Sequence, residues 1–80
     1  MKASIDISMY PLNEQYCQPI IDFIDQLETY PNVSVQRNSM STHIYGEYQD
    51  VMDTLNTEIL KVLEQIPETV FVIKLWMFFP

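Results

Sequence analysis

The stretch that decides the fold is Asn38-Ser39-Met40-Ser41-Thr42-His43-Ile44-Tyr45-Gly46-Glu47-Tyr48, which holds the only glycine and the only histidine of the 80-residue chain. Asn38, Ser39 and Ser41 predict a turn, because Asn and Ser side chains hydrogen-bond to nearby backbone groups. The apolar and polar alternation over 42–45 then predicts a short strand. Gly46 is predicted to break this strand and to lead into an acidic helix start.

Apolar spacing on both sides of this stretch predicts the neighbouring elements. Before it, Val33 and Val35 alternate with polar residues, as in a strand. After it, a helix is predicted from about Tyr48 to Gln65, ended by Ile66-Pro67-Glu68. The inward positions of that helix recur at helical spacing and are Met52, Leu55, Ile59, Val62 and Leu63.

The two ends of the chain predict two further strands and a first helix. Residues 3–10 alternate, with Ala3, Ile5, Ile7 and Met9 on the inner face. Residues 70–79 form the last strand, with Phe71, Ile73, Leu75 and Met77 on one face. The first helix is expected after Asn13-Glu14, with an inner face of Tyr16, Ile20, Phe23, Ile24 and Leu27. Pro19 leaves two alternatives: it kinks this helix, or it opens the main helix after a separate turn.

The resulting order, β-α-β-β-α-β, predicts an α+β fold of the ferredoxin-like type in one domain, residues 1–80. Right-handed crossovers place both helices on one face of a four-stranded antiparallel sheet, with strand order 4-1-3-2. The other sheet face stays open. Asp6, Ser8 and His43 should lie close together on it, flanked by Lys74 and Trp76. This face is too aromatic for plain solvent surface, so we expect ligand binding or self-association there.

Composition excludes several function classes. The net charge is −7, and the few basic residues (Lys2, Arg37, Lys61 and Lys74) are separated, so no nucleic-acid surface can be assembled. No apolar run approaches the length of a membrane span. Cys17 is the only cysteine, which precludes an internal disulfide and fits a reducing compartment. We therefore expect a cytoplasmic protein that binds neither nucleic acid nor membrane.

Several motifs, in order and at matching spacing over nearly the whole chain, resemble the thiamine-binding family of the YkoF type. They are Ile7-Ser8-Met9-Tyr10-Pro11-Leu12, Tyr16-xx-Pro19-Ile20, Met40-Ser41-Thr42-xx-Tyr45-Gly46-Glu47, Val51-Met52-xx-Leu55 and Val72-Ile73-Lys74. The resemblance implies a ferredoxin-like fold and association into homodimers or homotetramers through the sheets. It also implies binding of thiamine or its hydroxymethylpyrimidine portion without catalysis.

Thiamine joins an aminopyrimidine to a cationic thiazolium, and the chain offers suitable groups for both rings. The acceptor or counter-charge is Asp6, and Ser8, Ser41 and Thr42 offer small hydroxyls, although Thr42 faces either the ligand or the core. Aromatic stacking candidates are Tyr10, Tyr45 and Trp76. The predicted ligand-binding set is Asp6, Ser8, Tyr10, Ser41, Thr42, His43 and Trp76.

Most members of this set also have a structural alternative. Asp6 could pair only with Lys74 across the strands, and His43 could be a hydrogen-bonded sheet residue. Trp76 and Phe78 could form a dimer interface, and Ser41-Thr42 could be turn chemistry.

Catalytic and metal-binding sites are not expected. A Cys–His pair would need Cys17 and His43 within hydrogen-bond reach, and they fall on different predicted elements. A lone histidine has no second nitrogen or sulfur partner at ligand spacing for a metal. Two hypotheses follow: a non-catalytic carrier or sensor of thiamine-type pyrimidines, with no cofactor, or a ligand-free oligomerisation or regulatory module of the same fold.

Overall fold

The computed structural model describes residues 1–14, 17–38 and 40–78, with Phe78 by its backbone alone. The elements are β1 (Lys2–Tyr10), α1 (Cys17–Leu27), β2 (Val33–Arg37), β3 (Thr42–Glu47), α2 (Tyr48–Gln65) and β4 (Val70–Phe78). Tyr16, predicted on the inner face of the first helix, Ser39 of the predicted turn and the Phe78 side chain lie outside what is described. The described α2 has the predicted bounds.

The strands form one antiparallel sheet in the order β2-β3-β1-β4, which confirms the predicted ferredoxin-like α+β topology. β1 is central and pairs with β3 on one side and β4 on the other. Asp6 lies opposite His43 in one pairing and opposite Lys74 in the other. Both helices pack on one face, because the inner residues of β1 are buried while α1 and α2 contact each other and the sheet.

The core lies between α1, α2 and the central strands. It consists of Ile5, Ile7, Met9, Phe23, Leu27, Ile44, Val51 and Leu55. Ile20, Ile59, Val62, Val33 and Val35, which were also predicted to be buried, pack against this cluster and are partly buried. Most of the predicted inner face is therefore confirmed, and the apolar periodicity of β1 and the helices accounts for it.

For the last strand, the prediction of a buried inner face is wrong at two positions. Ile73 and Leu75 were expected in the core, but they are 45% and 46% exposed. β4 is an edge strand: Phe71 near its start packs against Phe23 of α1, with ring centroids 5.4 Å apart, but the helices cover Ile73 and Leu75 only in part. The inner face of β4 consequently borders an open apolar groove of about 360 Å³ along α2.

Pro19 lies in the first turn of α1, two residues after its start at Cys17. The backbone N–H groups of a first turn have no partner within the helix, so a proline is tolerated there. Residues 13 and 14 are not helical, so the helix starts later than Asn13-Glu14 predicted, and Pro19 lies in its first described turn.

Gly46 was predicted to break the third strand, and this prediction is wrong. It lies within β3, opposite Ala3 of β1 and Val33 of β2, and its φ is not positive. A Cβ at this position would lie 2.9 Å from the backbone oxygen of Asn32. Glycine is needed here because two chain segments approach closely, not because a turn requires it.

Neither described helix combines the length and the apolar character that crossing a lipid bilayer requires.

Candidate functional site

A small cleft lies at the end of the sheet where β1 finishes, between the β2–β3 loop and α1. Its volume is about 150 Å³. The apolar lining comes from the core side of β1, from α1 and from Met40 of the loop. The polar lining comes from the loop, from Thr42 at the start of β3, and from Ser8 and Tyr10 of β1. The lining residues are Ile7, Ser8, Met9, Tyr10, Ile20, Phe23, Ile24, Asn38, Met40, Ser41 and Thr42. The cleft thus brings together Ser8, Tyr10, Ser41 and Thr42 of the predicted set.

An Asx turn shapes the polar wall of this cleft. The Asn38 Oδ1 accepts hydrogen bonds from the backbone N–H groups of Met40, at 2.8 Å, and Ser41, at 2.7 Å. The Asn38 N–H also donates to the Ser41 carbonyl, at 3.1 Å. Turn chemistry, one of the alternatives for Ser41, is therefore present, and it holds the loop against the cleft.

Thr42 is 5% exposed and lies opposite Ile7 of β1, so its side chain is on the helix side of the sheet. This settles its orientation, which the sequence left open. Within the described residues, no protein hydrogen bond reaches the Thr42 hydroxyl. A hydroxyl that lines a cleft without a protein partner is available to a ligand, as donor or acceptor.

A wider, open hollow adjoins the cleft and shares Met9, Tyr10, Ile20 and Met40 with it. Its volume is about 700 Å³, and the rest of its lining is Pro11, Leu12, Asn13 and Glu14. Leu12 has a φ of 49°, which is uncommon for a residue other than glycine. Leu12 and Met40 are also largely exposed, so the mouth of the cleft has an apolar rim.

Asp6, His43 and Trp76 form a second group, on the open face of the sheet. The rings of His43 and Trp76 are stacked, with centroids 5.6 Å apart and planes within 11°. Ser4, between Tyr45 and Trp76 in register, is 3% exposed, so this part of the face is covered by its aromatic neighbours. The His43 Nε2 is buried without a hydrogen-bond partner in the described chain.

One hydrogen bond joins the two groups. The Ser41 hydroxyl donates to the Asp6 Oδ1 at 2.5 Å. Lys74 lies opposite Asp6 in register. Among the described residues, however, none of the ion pairs joins these two side chains. The interpretation of Asp6 as only a salt-bridge partner of Lys74 is therefore wrong, and Ser41 is its partner instead.

Arg37 borders the same open face, but its charge is compensated from α1. Its guanidinium donates to Glu28 and, at 2.6 Å, to Asp25. Both hydrogen bonds raise the pKa of Arg37 above its ordinary value, and the one to Glu28 has the larger effect. Among the residues that the structure describes, no lysine or arginine lines the cleft or the adjoining hollow. Both therefore suit neutral or cationic ligands better than phosphates.

Sequence reasoning missed Asn38, Met40, Ile20 and Glu14, which line the cleft or the hollow. The sequence did contain a signal for Asn38, because an asparagine in a predicted turn often accepts hydrogen bonds from the backbone N–H groups two and three residues later, as in an Asx turn. Ile20 carried none, since its place beside the loop depends on how α1 packs. In the described ranges, no group of three or more His, Cys, Asp or Glu side chains could hold a metal ion.

Comparisons with known proteins agree with this fold. A model of the YKOF-related Family matches residues 2–77. A Thermotoga maritima protein provisionally assigned to thiamine biosynthesis or salvage has a TM-score of 0.85 at 15% identity, covering 98% of this chain and 85% of its own. A hypothetical protein of Methanocaldococcus jannascii has a TM-score of 0.81 at 19% identity, covering 96% of this chain and 80% of its own.

A Streptococcus pneumoniae protein has a TM-score of 0.76 at 23% identity, covering 98% of this chain and 88% of its own. At such identities, the likeness to these structures shows a shared fold and no more. No functionally curated protein matches the sequence significantly.

Proposed function

This protein belongs to the YKOF-related family, and on that premise we propose that it binds thiamine or its hydroxymethylpyrimidine portion without converting it. It would act as a cytoplasmic carrier or sensor and as a homo-oligomer. The observation that carries the proposal is the cleft of about 150 Å³ beside the β2–β3 loop. A cavity of about that volume accepts a single six-membered ring, as the binding of benzene to an engineered cavity illustrates.

The polar and apolar walls of the cleft match the two sides of a pyrimidine. Phe23, Ile7 and Ile20 would contact the ring, and Thr42 would donate to a ring nitrogen. Ser8, near the end of β1, and Ser41, on the β2–β3 loop, would meet the exocyclic amino group.

The adjoining hollow suits the cationic ring of thiamine. Glu14 is the charged member of its lining, and Tyr10, half-exposed, offers an aromatic surface at the mouth. The net charge of −7 also favours a cationic ligand. Because neither lining contains a lysine or arginine in the described part of the chain, we propose unphosphorylated thiamine or its pyrimidine precursor as the preferred form.

In this proposal the seven predicted residues have different roles. Ser8, Tyr10, Ser41 and Thr42 contact the ligand, and Asp6 acts on it through Ser41. His43 and Trp76 stay on the open face of the sheet, where they line with Asp6 a wide, open hollow of about 610 Å³ that would enclose a ligand only with a second subunit over it.

The alternative of a ligand-free oligomerisation module also has an observation in its favour. The groove between α2 and β4 exposes Leu60, Ile73 and Leu75, which a monomer would leave in water. This surface is compatible with ligand binding as well, since it lies apart from the cleft.

Calorimetric titration with thiamine and with hydroxymethylpyrimidine tests the proposal, using wild type, Thr42→Val and Trp76→Ala. Valine keeps the shape of Thr42 and removes its hydroxyl, so we expect about a tenfold or greater loss of affinity. Trp76→Ala, on the open face, should bind like wild type. No binding to wild type near millimolar ligand would favour the ligand-free module. Loss of binding only in Trp76→Ala would place the ligand on the open face.

A further inference from the structure

The Ser41 hydroxyl has a fixed direction, because its partner is a carboxylate. The Ser41 Oγ lies 2.5 Å from the Asp6 Oδ1, and an ionised carboxylate only accepts hydrogen bonds. The proton therefore points from Ser41 to Asp6. The Ser41 oxygen can therefore offer a ligand only its lone pairs, which accept hydrogen bonds but do not donate them.

Other donors on the same wall are also committed to protein acceptors. The backbone N–H groups of Met40 and Ser41 both donate to the Asn38 Oδ1. The Ser8 hydroxyl donates to the Met40 carbonyl in a long hydrogen bond of 3.5 Å. The cleft consequently presents acceptor oxygens from Ser8 and Ser41, whereas the hydroxyls of Thr42 and Tyr10 and the Asn38 amide N–H₂ have no protein acceptor among the described residues and can donate to a ligand.

We propose that Asp6 sets the specificity of the cleft by holding Ser41 as an acceptor, so that the cleft selects ligands with an amino group at that position. A 4-aminopyrimidine places an N–H₂ donor against Ser41, whereas a 4-oxopyrimidine places an acceptor there. Two facing acceptors repel and leave the ligand oxygen without a hydrogen bond. Asp6 is thus a positioning residue, which acts through Ser41. This inference rests on the proposed function, since it assumes that the pyrimidine occupies the cleft.

The test compares two probes, 4-amino-5-hydroxymethyl-2-methylpyrimidine and its 4-oxo counterpart, by calorimetric titration. Wild type should prefer the amino probe by about ten- to a hundredfold. Asp6→Asn should bring the two affinities within about threefold, because an asparagine can also donate to Ser41 and thereby release the serine proton toward the cleft. Ser41→Ala should lose the preference as well, by removing the acceptor itself.

Matched controls separate this effect from general damage. Asp53→Asn removes a carboxylate on the exposed side of α2, and Ser34→Ala removes a hydroxyl on β2. Both should keep the wild-type preference. Circular dichroism checks that each variant is folded, and the ratio between probes is insensitive to a partial loss of folded protein.

Two results would overturn the inference, and they differ in what else they overturn. If wild type binds both probes equally, or if Asp6→Asn and Ser41→Ala both keep the preference, Asp6 does not set specificity, although the proposed function stands. If wild type binds neither probe nor thiamine, the inference and the proposed function both fail.

Discussion

Glu47, the last residue of β3, ties the beginning of the chain to the beginning of α2. Its carboxylate accepts a hydrogen bond from the N-terminal ammonium of Met1 at 3.0 Å and lies 3.1 Å from the Lys2 Nζ. The Tyr48 N–H donates to the Met1 carbonyl at 2.9 Å, which satisfies a backbone donor at the helix start. The N-terminal ammonium first, and Lys2 second, lower the pKa of Glu47 from its ordinary value of 4.5.

This arrangement predicts an acid-dependent contribution to stability. Because the pKa of Glu47 is lowered in the folded protein, its contribution is complete above about pH 4.5 and is lost as the pH falls through the lowered value. Glu47→Gln should therefore be less stable than wild type at pH 7, and the difference should shrink in acid. Urea unfolding at several pH values measures this. Glu64→Gln, an exposed acid on α2, is the control and should show no such convergence; a constant difference for Glu47→Gln would contradict the assignment.

At the scale of elements, α2 and β4 contribute differently to the core. Leu55 of α2 is 3% exposed, whereas Ile73 of β4 is 45% exposed. The difference arises because α2 packs on β3 and β1, which leaves the inner face of the edge strand bordering the groove. Burial, and not residue type, decides what each side chain adds to the free energy of unfolding.

Alanine substitutions at these positions should separate buried from half-exposed packing. Leu55→Ala should lower the free energy of unfolding by about 2–5 kcal/mol, since it leaves a cavity in the core. Ile73→Ala should cost roughly 1–2 kcal/mol in a dilute monomer, because much of its surface is already in water. Urea unfolding at low protein concentration measures both. Equal costs would mean that another subunit covers the inner face of β4 under those conditions.

At the scale of the whole molecule, the groove along α2 and β4 is the surface best suited to a second copy. Its described lining residues are all uncharged: Ile5, Met52, Leu55, Asn56, Ile59, Leu60, Leu63, Ile73 and Leu75. In a protein of net charge −7, two copies repel each other least where the contact is uncharged. β4 also offers the free backbone edge of a nine-residue strand to an identical strand. The open face, with Asp6 and Lys74, is more polar.

We therefore expect a dimer or larger assembly at micromolar concentration, with the groove at the contact. Two substitutions on β4 distinguish its faces, because Val72 is 47% exposed on the open face and Leu75 is 46% exposed in the groove. Leu75→Glu should produce a monomer by light scattering, and Val72→Glu should leave the assembly intact. The reverse result would move the contact to the open face, and a wild-type monomer at high concentration would refute the assembly.

The sequence by itself determined the order and type of the elements, the strand order, the bounds of α2 and most of the core face. These features follow from local periodicity and from chain connectivity, which a single sequence displays. Of the predicted ligand-binding set, Ser8, Tyr10, Ser41 and Thr42 line the cleft, because the predicted strand order brings the end of β1 beside the β2–β3 loop.

Only the tertiary structure decided which surfaces are covered and which polar groups meet. Ile73 and Leu75 have the pattern of buried strand residues, but their exposure depends on the distance between α2 and the edge of the sheet. Gly46 has the pattern of a strand breaker, but the close approach of the Asn32 carbonyl explains why a glycine is needed at this position. Asp6 met Ser41 rather than Lys74, because the position of the β2–β3 loop is fixed by contacts between residues distant in the chain, which local pattern does not encode.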